Sequence, residues 1–219
     1  IVLSHGHYDH TRGLTHVLEQ AKAKRLVAHP HAFEDKWIRD SILPLRNAGI
    51  EITPEEAARQ VESLELTADA VAVSESIATT GSIPRICDFE NPHKRFRRIA
   101  AGHEEVDLFE DDLSLVLSTA RGLVVVCGCA HAGIVNILRH VQASRPDRTI
   151  HALVGGLHLG SALPERLEKT CRVFDSLGVR ELWLNHCTGD EATAFFTEHC
   201  RATVCQAPAG TQIDFPAET

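Results

Sequence analysis

The chain has 219 residues, of which 43% are apolar and 24% are charged, and its net charge is −8. This size and composition predict a single α/β domain over residues 1–219. The longest apolar runs are far shorter than the roughly 20 residues of a membrane-spanning helix, so we expect no membrane segment. The acidic balance argues against a broad phosphate-binding surface, so we expect a small-molecule partner and no nucleic acid.

The cysteines indicate the cellular compartment of the protein, and the first residues indicate whether the chain is complete. Seven cysteines lie mostly in apolar segments and lack the compact spacing of a secreted disulfide scaffold. This usage predicts reduced thiols and a cytoplasmic location. The chain starts directly in Ile1-Val2-Leu3 and contains no methionine, so we expect it to be part of a longer product. The sequence does not define the oligomeric state and is compatible with a homo-oligomer.

The first predicted element is a short strand, Ile1-Val2-Leu3, that leads into a histidine-rich segment. A helix follows, since Leu14, Val17 and Leu18 form an apolar stripe at helical spacing. Residues 32–112 are less regular, because prolines and glycines interrupt them. Within this stretch we predict a helix over 55–65 and a strand over 71–79.

The second half of the chain is predicted to alternate strands and helices. Residues 113–117 and 123–126 predict a hairpin, apolar stripes predict helices near 134–141 and 163–174, and further strands are expected at 152–157 and 182–184. Three of these strands are followed by a histidine, namely His131, His158 and His186. Ligand groups in sheet proteins of this class gather beyond the strand ends.

The strongest chemical signal is the run of three histidines and one aspartate between His5 and His10. In an extended segment the side chains of His5, His7 and Asp9 point the same way, and His10 turns inward as a helix begins. Imidazole and carboxylate groups suit Zn²⁺, with Fe, Mn and Ni as alternatives. We predict two divalent metal ions, one held by His5 and His7 and the other by Asp9 and His10.

A centre with two metal ions needs further ligands from distant strands. We predict that His131 and His186 are such ligands. His158 stands in a similar position, and both metal ligation and substrate contact remain open for it. Cys129 and Cys187 lie beside these histidines and are either thiolate ligands or buried thiols.

Five ordered motifs carry a family resemblance, at residues 4–11, 81–85, 128–136, 155–159 and 186–189. The first contains His-x-His-x-Asp-His, the signature of the metallo-β-lactamase superfamily. Together the motifs resemble the branch of 7,8-dihydropterin-6-methyl-4-(β-D-ribofuranosyl)-aminobenzene-5′-phosphate synthase-like metal-dependent hydrolases. The resemblance implies an α/β fold, the αββα sandwich of this superfamily, here lacking its N-terminal strands.

Two departures from the family pattern affect the site. Many superfamily members carry a metal-bridging aspartate where this chain has Cys129-Ala130-His131. A histidine, a water or a thiolate would then form the bridge. Ser82 stands where a glutamate is usual in the branch, close to the expected substrate side.

The resemblance implies a hydrolase in which a metal-bound hydroxide attacks a small phosphorylated or ester substrate. Asp9 would bind metal and orient the water, His158 would act in catalysis or contact substrate, and Arg85 would bind a substrate phosphate. The synthase-like branch also implies transfer of a pterin methyl diphosphate to an aminobenzene ribosyl phosphate.

Two alternatives remain from the sequence. A nuclease of the same fold would need a basic groove, which the acidic balance disfavours. A non-catalytic metal-binding or sensor protein would keep the ligands without turnover.

Overall fold

A computed structural model describes residues 1–21, 25–40, 42–100 and 102–218. The helices are α1 (Tyr8–Thr11), α2 (Leu14–Ala21), α3 (Pro54–Ala58), α4 (Ile134–Ser144), α5 (Pro164–Leu177) and α6 (Asp190–His199). The strands are β1 (Arg25–Ala28), β2 (Asp35–Ile38), β3 (Arg46–Asn47), β4 (Ser63–Leu66), β5 (Ile77–Thr79), β6 (Phe96–Ala100), β7 (His103–Val106), β8 (Ser114–Thr119), β9 (Gly122–Cys127), β10 (Ile150–Gly155), β11 (Glu181–Leu184) and β12 (Thr203–Gln206).

The chain forms two compact units with separate apolar cores. The first unit comprises Ile1–Asp69 and Pro92–Leu113, and the second comprises Ala70–Asn91 and Ser114–Thr219. The mixture of helices and sheets confirms the predicted α/β class. None of the helices in the described ranges is long and apolar enough to cross a membrane.

The first unit contains an antiparallel sheet in the order β3-β2-β6-β7 and a parallel pair of β1 and β4. Its cores are built from apolar residues such as Leu14, Leu18 and Leu26, and from Phe96 with Phe109. The predicted strand at residues 1–3 is reduced to a single bridge between Val2 and Val27. It contributes two backbone hydrogen bonds to β1, so it still fixes where the following histidine segment starts.

Two predictions for the irregular middle were wrong. The expected helix over 55–65 is only α3, which Thr53 and Glu56 start with reciprocal capping bonds; residues 63–66 instead form β4, since parallel pairing with β1 overrides helix propensity. The expected strand over 71–79 is only β5. The chain folds back on itself there, with Ala72 bridging Ala78 and the amide of Val73 bound to the Ile77 carbonyl.

The second unit is built on one six-stranded sheet in the order β12-β11-β10-β9-β8-β5. The hairpin of β8 and β9 confirms the sequence prediction, and β9 to β12 are parallel, with α4, α5 and α6 as their connections. Pro164 opens α5 and Gly178, with φ 70°, ends it, as these residue types favour. Because parallel strands end at the same sheet edge, the segments after β9, β10 and β11 lie side by side.

The sulfur chemistry differs from the prediction of reduced thiols throughout. Cys171 in α5 and Cys200 after α6 form a disulfide, with their Cα atoms 5.5 Å apart. The two helices pack against each other, a proximity that the spacing of 29 residues did not reveal. The other cysteines are free thiols, namely Cys87, Cys127, Cys129, Cys187 and Cys205.

Candidate metal centre

The histidine-rich segment of the first unit folds into a tight loop that leads into α1. His5 and His7 are buried, with ring centroids 4.9 Å apart, and the His10 ring lies 4.3 Å from that of His5. The hydroxyl of Ser4 lies 3.1 Å from His5 Nδ1. The loop therefore gathers three imidazoles at one place, as its spacing predicted.

The position of Asp9 differs from the predicted alternation of side chains. His7 is the last extended residue, with ψ 143°, and α1 begins at Tyr8, so Asp9 lies on the first turn of a helix. Its carboxylate is exposed, and one oxygen lies 3.6 Å from His10 Nε2. Asp9 and His10 are therefore neighbours, as a shared ion would require.

A buried charge network fixes this loop, and the sequence analysis missed it. The Lys36 ammonium donates to Asp107 Oδ2 at 2.8 Å and to Asp111 Oδ1 at 3.0 Å, and all three side chains are at most 1% exposed. The other oxygen of Asp111 accepts the backbone N–H of Gly6 at 2.8 Å. Asp111 therefore joins the network directly to the residue between His5 and His7.

The electrostatics of the first unit keep the His7 ring neutral. Burial and, after it, the positive charge of Lys36 lower the pKa of His7 to about 3. Burial alone would lower the pKa of Lys36 as well, but Asp111 and Asp107 hold it above its ordinary value. A neutral imidazole is the form that binds metal ions.

We expect metal-free protein to lose stability as the pH falls below about 6.5, the ordinary pKa of histidine. The pKa of His7 is lower in the folded state, so its contribution is complete above that pH and is lost as the pH falls toward 3. At pH 4.5 the loss should be about 2–3 kcal/mol. Urea unfolding at pH 7 and pH 4.5 measures it, and His7→Gln is the control. An equal pH dependence in parent and variant would contradict the assignment.

In the second unit, three non-glycine residues after the parallel strands adopt left-handed backbone conformations. Ala130 follows β9, His158 follows β10 and His186 follows β11, with φ of 51°, 50° and 49°. Such conformations are unfavourable for residues with a Cβ, and they concentrate at functional sites. Each one turns the chain sharply at the carboxyl edge of the sheet.

These turns bring sulfur and imidazole groups together. The rings of His131 and His158 lie 4.3 Å apart. The Cys187 sulfur accepts the backbone N–H of His158 at 3.2 Å. Donor atoms of Cys129, His158 and Cys187 all lie within 4.8 Å of one another. His186, whose side chain lines a small cavity with Asn185 and Asp190 at the same edge, stands next in the chain to Cys187.

The Cys187 thiol is acidic in this setting. The thiol of Cys129 and the ring and backbone N–H of His158 lower its pKa to about 5, against the opposing effect of burial. The thiolate is the nucleophilic and metal-binding form of cysteine. These contacts favour the thiolate form of Cys187.

Arg85, predicted to contact substrate, is held within the protein. Its guanidinium donates to the carbonyl oxygen of His131 at 2.7 Å and to that of Glu90 at 3.1 Å. The buried Glu90 carboxylate accepts the N–H groups of Val135 and Asn136 at the start of α4. Arg85 and Glu90 thus fix the turn that carries His131, and substrate contact by Arg85 stays a prediction.

The sequence and the fold both have known relatives. No protein-family model matches the sequence. The 7,8-dihydropterin-6-methyl-4-(β-D-ribofuranosyl)-aminobenzene-5′-phosphate synthase of Methanocaldococcus jannaschii is 29% identical, over 98% of this chain and 74% of its own length. An uncharacterized protein of the same organism is 31% identical, over 88% of this chain and 70% of its own length.

A solved structure decides the family. The crystal structure of a metal-dependent hydrolase of the β-lactamase superfamily matches with a TM-score of 0.84 at 29% identity, over 97% of this chain and 78% of that chain. The chain belongs to the metallo-β-lactamase superfamily. The predicted fold class and the resemblance to the synthase-like branch are thereby confirmed.

Membership of the metallo-β-lactamase superfamily is consistent with a metal-binding role for the histidine clusters, since the matching structure is that of a metal-dependent hydrolase. The donor set of this chain fits such a role, because neutral imidazoles, a carboxylate and thiols are all metal ligands. The individual ligands stay predictions.

The basic run at residues 93–98 is partly neutralised. Arg97 donates to Glu104 at 2.8 Å, and Arg98 pairs with Glu105 at 2.7 Å and with Glu110 at 2.6 Å. His93, Lys94 and Arg95 line an open cavity together with Arg39 and Asp40. A basic groove of the kind a nuclease needs is therefore not formed by Arg97 and Arg98.

Proposed function

We propose that this chain is a metal-dependent hydrolase that acts on a small phosphorylated or ester substrate. The observation that carries the proposal is the buried loop of His5 and His7, fixed through Gly6. The lowered pKa of His7 also favours the neutral imidazole that binds metal. The proposed cofactor is a pair of divalent ions, with Zn²⁺ favoured by the ligand types. The proposed ligands are His5, His7, Asp9, His10, His131 and His186.

Bound divalent ions would lower the pKa of a coordinated water and stabilise negative charge on a leaving group. Asp9 lies exposed on α1, so its carboxylate is accessible to accept a proton from the attacking water. His158 is held at the sheet edge with its ring against that of His131, where it would bind metal or contact the substrate. Arg85 acts on His131 through the peptide carbonyl and adds positive charge for a substrate phosphate.

We propose further that the protein acts on a small molecule and does not bind nucleic acid. The net charge of −8 and the pairing of Arg97 and Arg98 with glutamates support this choice. We place the protein in the cytoplasm as part of the same proposal, because five of its seven cysteines are outside any disulfide and the single Cys171–Cys200 bridge is not the scaffold of a secreted protein.

A synthase-like activity is the second candidate, because the relative that matches 98% of this chain is named as a synthase. In that case the proposed ions would bind a diphosphate leaving group in place of a hydrolysed ester. Both activities need the same ligands, so substrate screening separates them.

Elemental analysis of the purified chain tests the proposal. We expect about two equivalents of transition metal in the parent, and a loss of at least one in His7→Ala/Asp9→Ala. His16→Ala is the matched control, since His16 is exposed on α2 of the same unit. The metal-loaded parent should then turn over a member of a phosphoester and pterin panel, and the double variant should not.

Two results would overturn the proposal in different ways. Absence of bound metal in the parent would reject the metal centre. Tight metal binding with no turnover on the panel would reject the enzyme and favour the sensor alternative.

A further inference from the structure

The carboxyl edge of the second unit's sheet brings together two cysteines that are far apart in the sequence. Cys129 follows β9, and Cys187 follows β11; His158, after the intervening strand β10, lies between them. Sulfur and nitrogen donor atoms of these three residues lie within 4.8 Å of one another. The sheet order, with β10 between β9 and β11, creates this cluster.

The spacing of the donor atoms is close to that of ligands on one ion. Tetrahedral zinc holds sulfur at about 2.3 Å and nitrogen at about 2.0 Å, which separates neighbouring donor atoms by roughly 3.5–4 Å. The observed limit of 4.8 Å therefore requires side-chain shifts of no more than about an ångström.

The two sulfur atoms have surroundings like those of metal ligands, whose orientation is fixed by hydrogen bonds and burial. The backbone N–H of His158 donates to the Cys187 sulfur, and Cys129 is 3% exposed. Outer hydrogen bonds of this kind orient ligands and stabilise a thiolate. Burial of Cys129 also shields its sulfur from solvent, which protects a sulfur ligand from side reactions such as oxidation.

Cys127 and Cys205 lie within strands of the same sheet, away from this cluster. Cys127 is still within β9, and its sulfur accepts the hydroxyl of Ser114 at 3.4 Å. Cys205 lies in β12, beyond the strand that precedes Cys187. Cys129 and Cys187 are therefore distinguished by their shared position at the strand ends.

We propose that Cys129 and Cys187, together with His158, are metal ligands of this chain. The inference rests on the proposed function, because it assigns sulfur ligands to the same metal-dependent activity. Two thiolates would supply negative charge to the bound ion. Sulfur ligands favour Zn²⁺, Co²⁺ and Cd²⁺ over Mg²⁺ and Mn²⁺, so the chain should select soft or borderline ions.

Cobalt substitution tests the inference through absorption, independently of activity. The full chain is stripped of metal under reducing conditions and titrated with Co²⁺. A cobalt–sulfur bond gives a charge-transfer absorption in the near ultraviolet that nitrogen and oxygen ligands do not give. We expect this band in the parent, a weaker band in Cys129→Ser and in Cys187→Ser, and its loss in the double variant.

Cys205→Ser is the matched control, since it removes a half-buried free thiol from the same sheet and should leave the band unchanged. Binding of Co²⁺ by the parent without the band would overturn the thiolate assignment and leave the metal-dependent function standing. Absence of Co²⁺ binding by the parent would overturn both. A band that persists in the double variant would place the sulfur ligand elsewhere and reject this pair.

A second measurement on the unsubstituted chain covers the case in which a serine variant fails to fold. Zn²⁺ should slow the alkylation of Cys187, as mapped by mass spectrometry, while the alkylation of Cys205 stays unchanged; Cys129 is 3% exposed and is shielded with or without metal, so it is not the readout. Equal protection of Cys187 and Cys205, or of neither, would contradict the assignment.

Discussion

Replacing Lys36 with methionine is expected to lower the free energy of unfolding by about 3–5 kcal/mol, because it leaves buried carboxylates without their cation. Asp107 and Asp111 are at most 1% exposed and both accept from the Lys36 ammonium. Methionine matches the length of the lysine stem, so the change in packing is small. Chemical denaturation of metal-free protein measures the effect directly.

Lys169→Met is the control for this prediction. Lys169 pairs with Glu165 on the exposed face of α5, and exposed pairs of this kind contribute little to stability. The triple variant Lys36→Met/Asp107→Asn/Asp111→Asn removes all three charges and should recover part of the loss. A Lys36→Met variant as stable as Lys169→Met would show that the three groups do not form a buried charge network.

Gly6→Ala should abolish metal binding by the histidine loop and cost about 3 kcal/mol or more of stability. A Cβ at this position would overlap the carbonyl oxygen of Ala32. That oxygen belongs to the backbone of the 3-10 turn Pro30–Phe33, so it cannot move aside as a flexible side chain would. The loop would have to shift, and the hydrogen bond from Gly6 to Asp111 would be lost with it.

Gly13→Ala is the matched substitution, since no heavy atom lies within 4 Å of a Cβ built there. Its metal affinity should equal that of the parent. Zinc titration and urea unfolding of both variants make the comparison. Parent-like zinc binding by Gly6→Ala would mean that the ligands do not depend on the close approach of Gly6 to Ala32.

Local signals in the sequence were sufficient to predict much of the secondary structure of the second unit. The stripe of Ile134, Ile137 and Leu138 predicted α4, and all three residues are fully buried. Pro164 and Gly178 mark the ends of α5, the positions that these residue types favour. These features depend on neighbours within a few turns of the chain, and periodicity and capping report such neighbours well.

Features set by distant residues were not predictable in the same way. Residues 63–66 became a strand because β1 was available as a partner. The sequence around Lys36 does not indicate that its side chain is buried, because its partners Asp107 and Asp111 are 71 and 75 residues further along the chain. For the candidate site, the motif identified the histidines and the aspartate, but the network that holds Gly6 follows only from the tertiary fold.

The hydrogen bond between Gly6 and Asp111 spans 105 residues, and this separation sets an order of events during synthesis. A ribosome has to release Asp111, 105 residues after Gly6, before the histidine loop can acquire the carboxylate that holds it. Closing so long a connection is slow compared with forming a nearby helix. We therefore expect the histidine loop to reach its final form late in folding, and metal selectivity that depends on its geometry to arise only then.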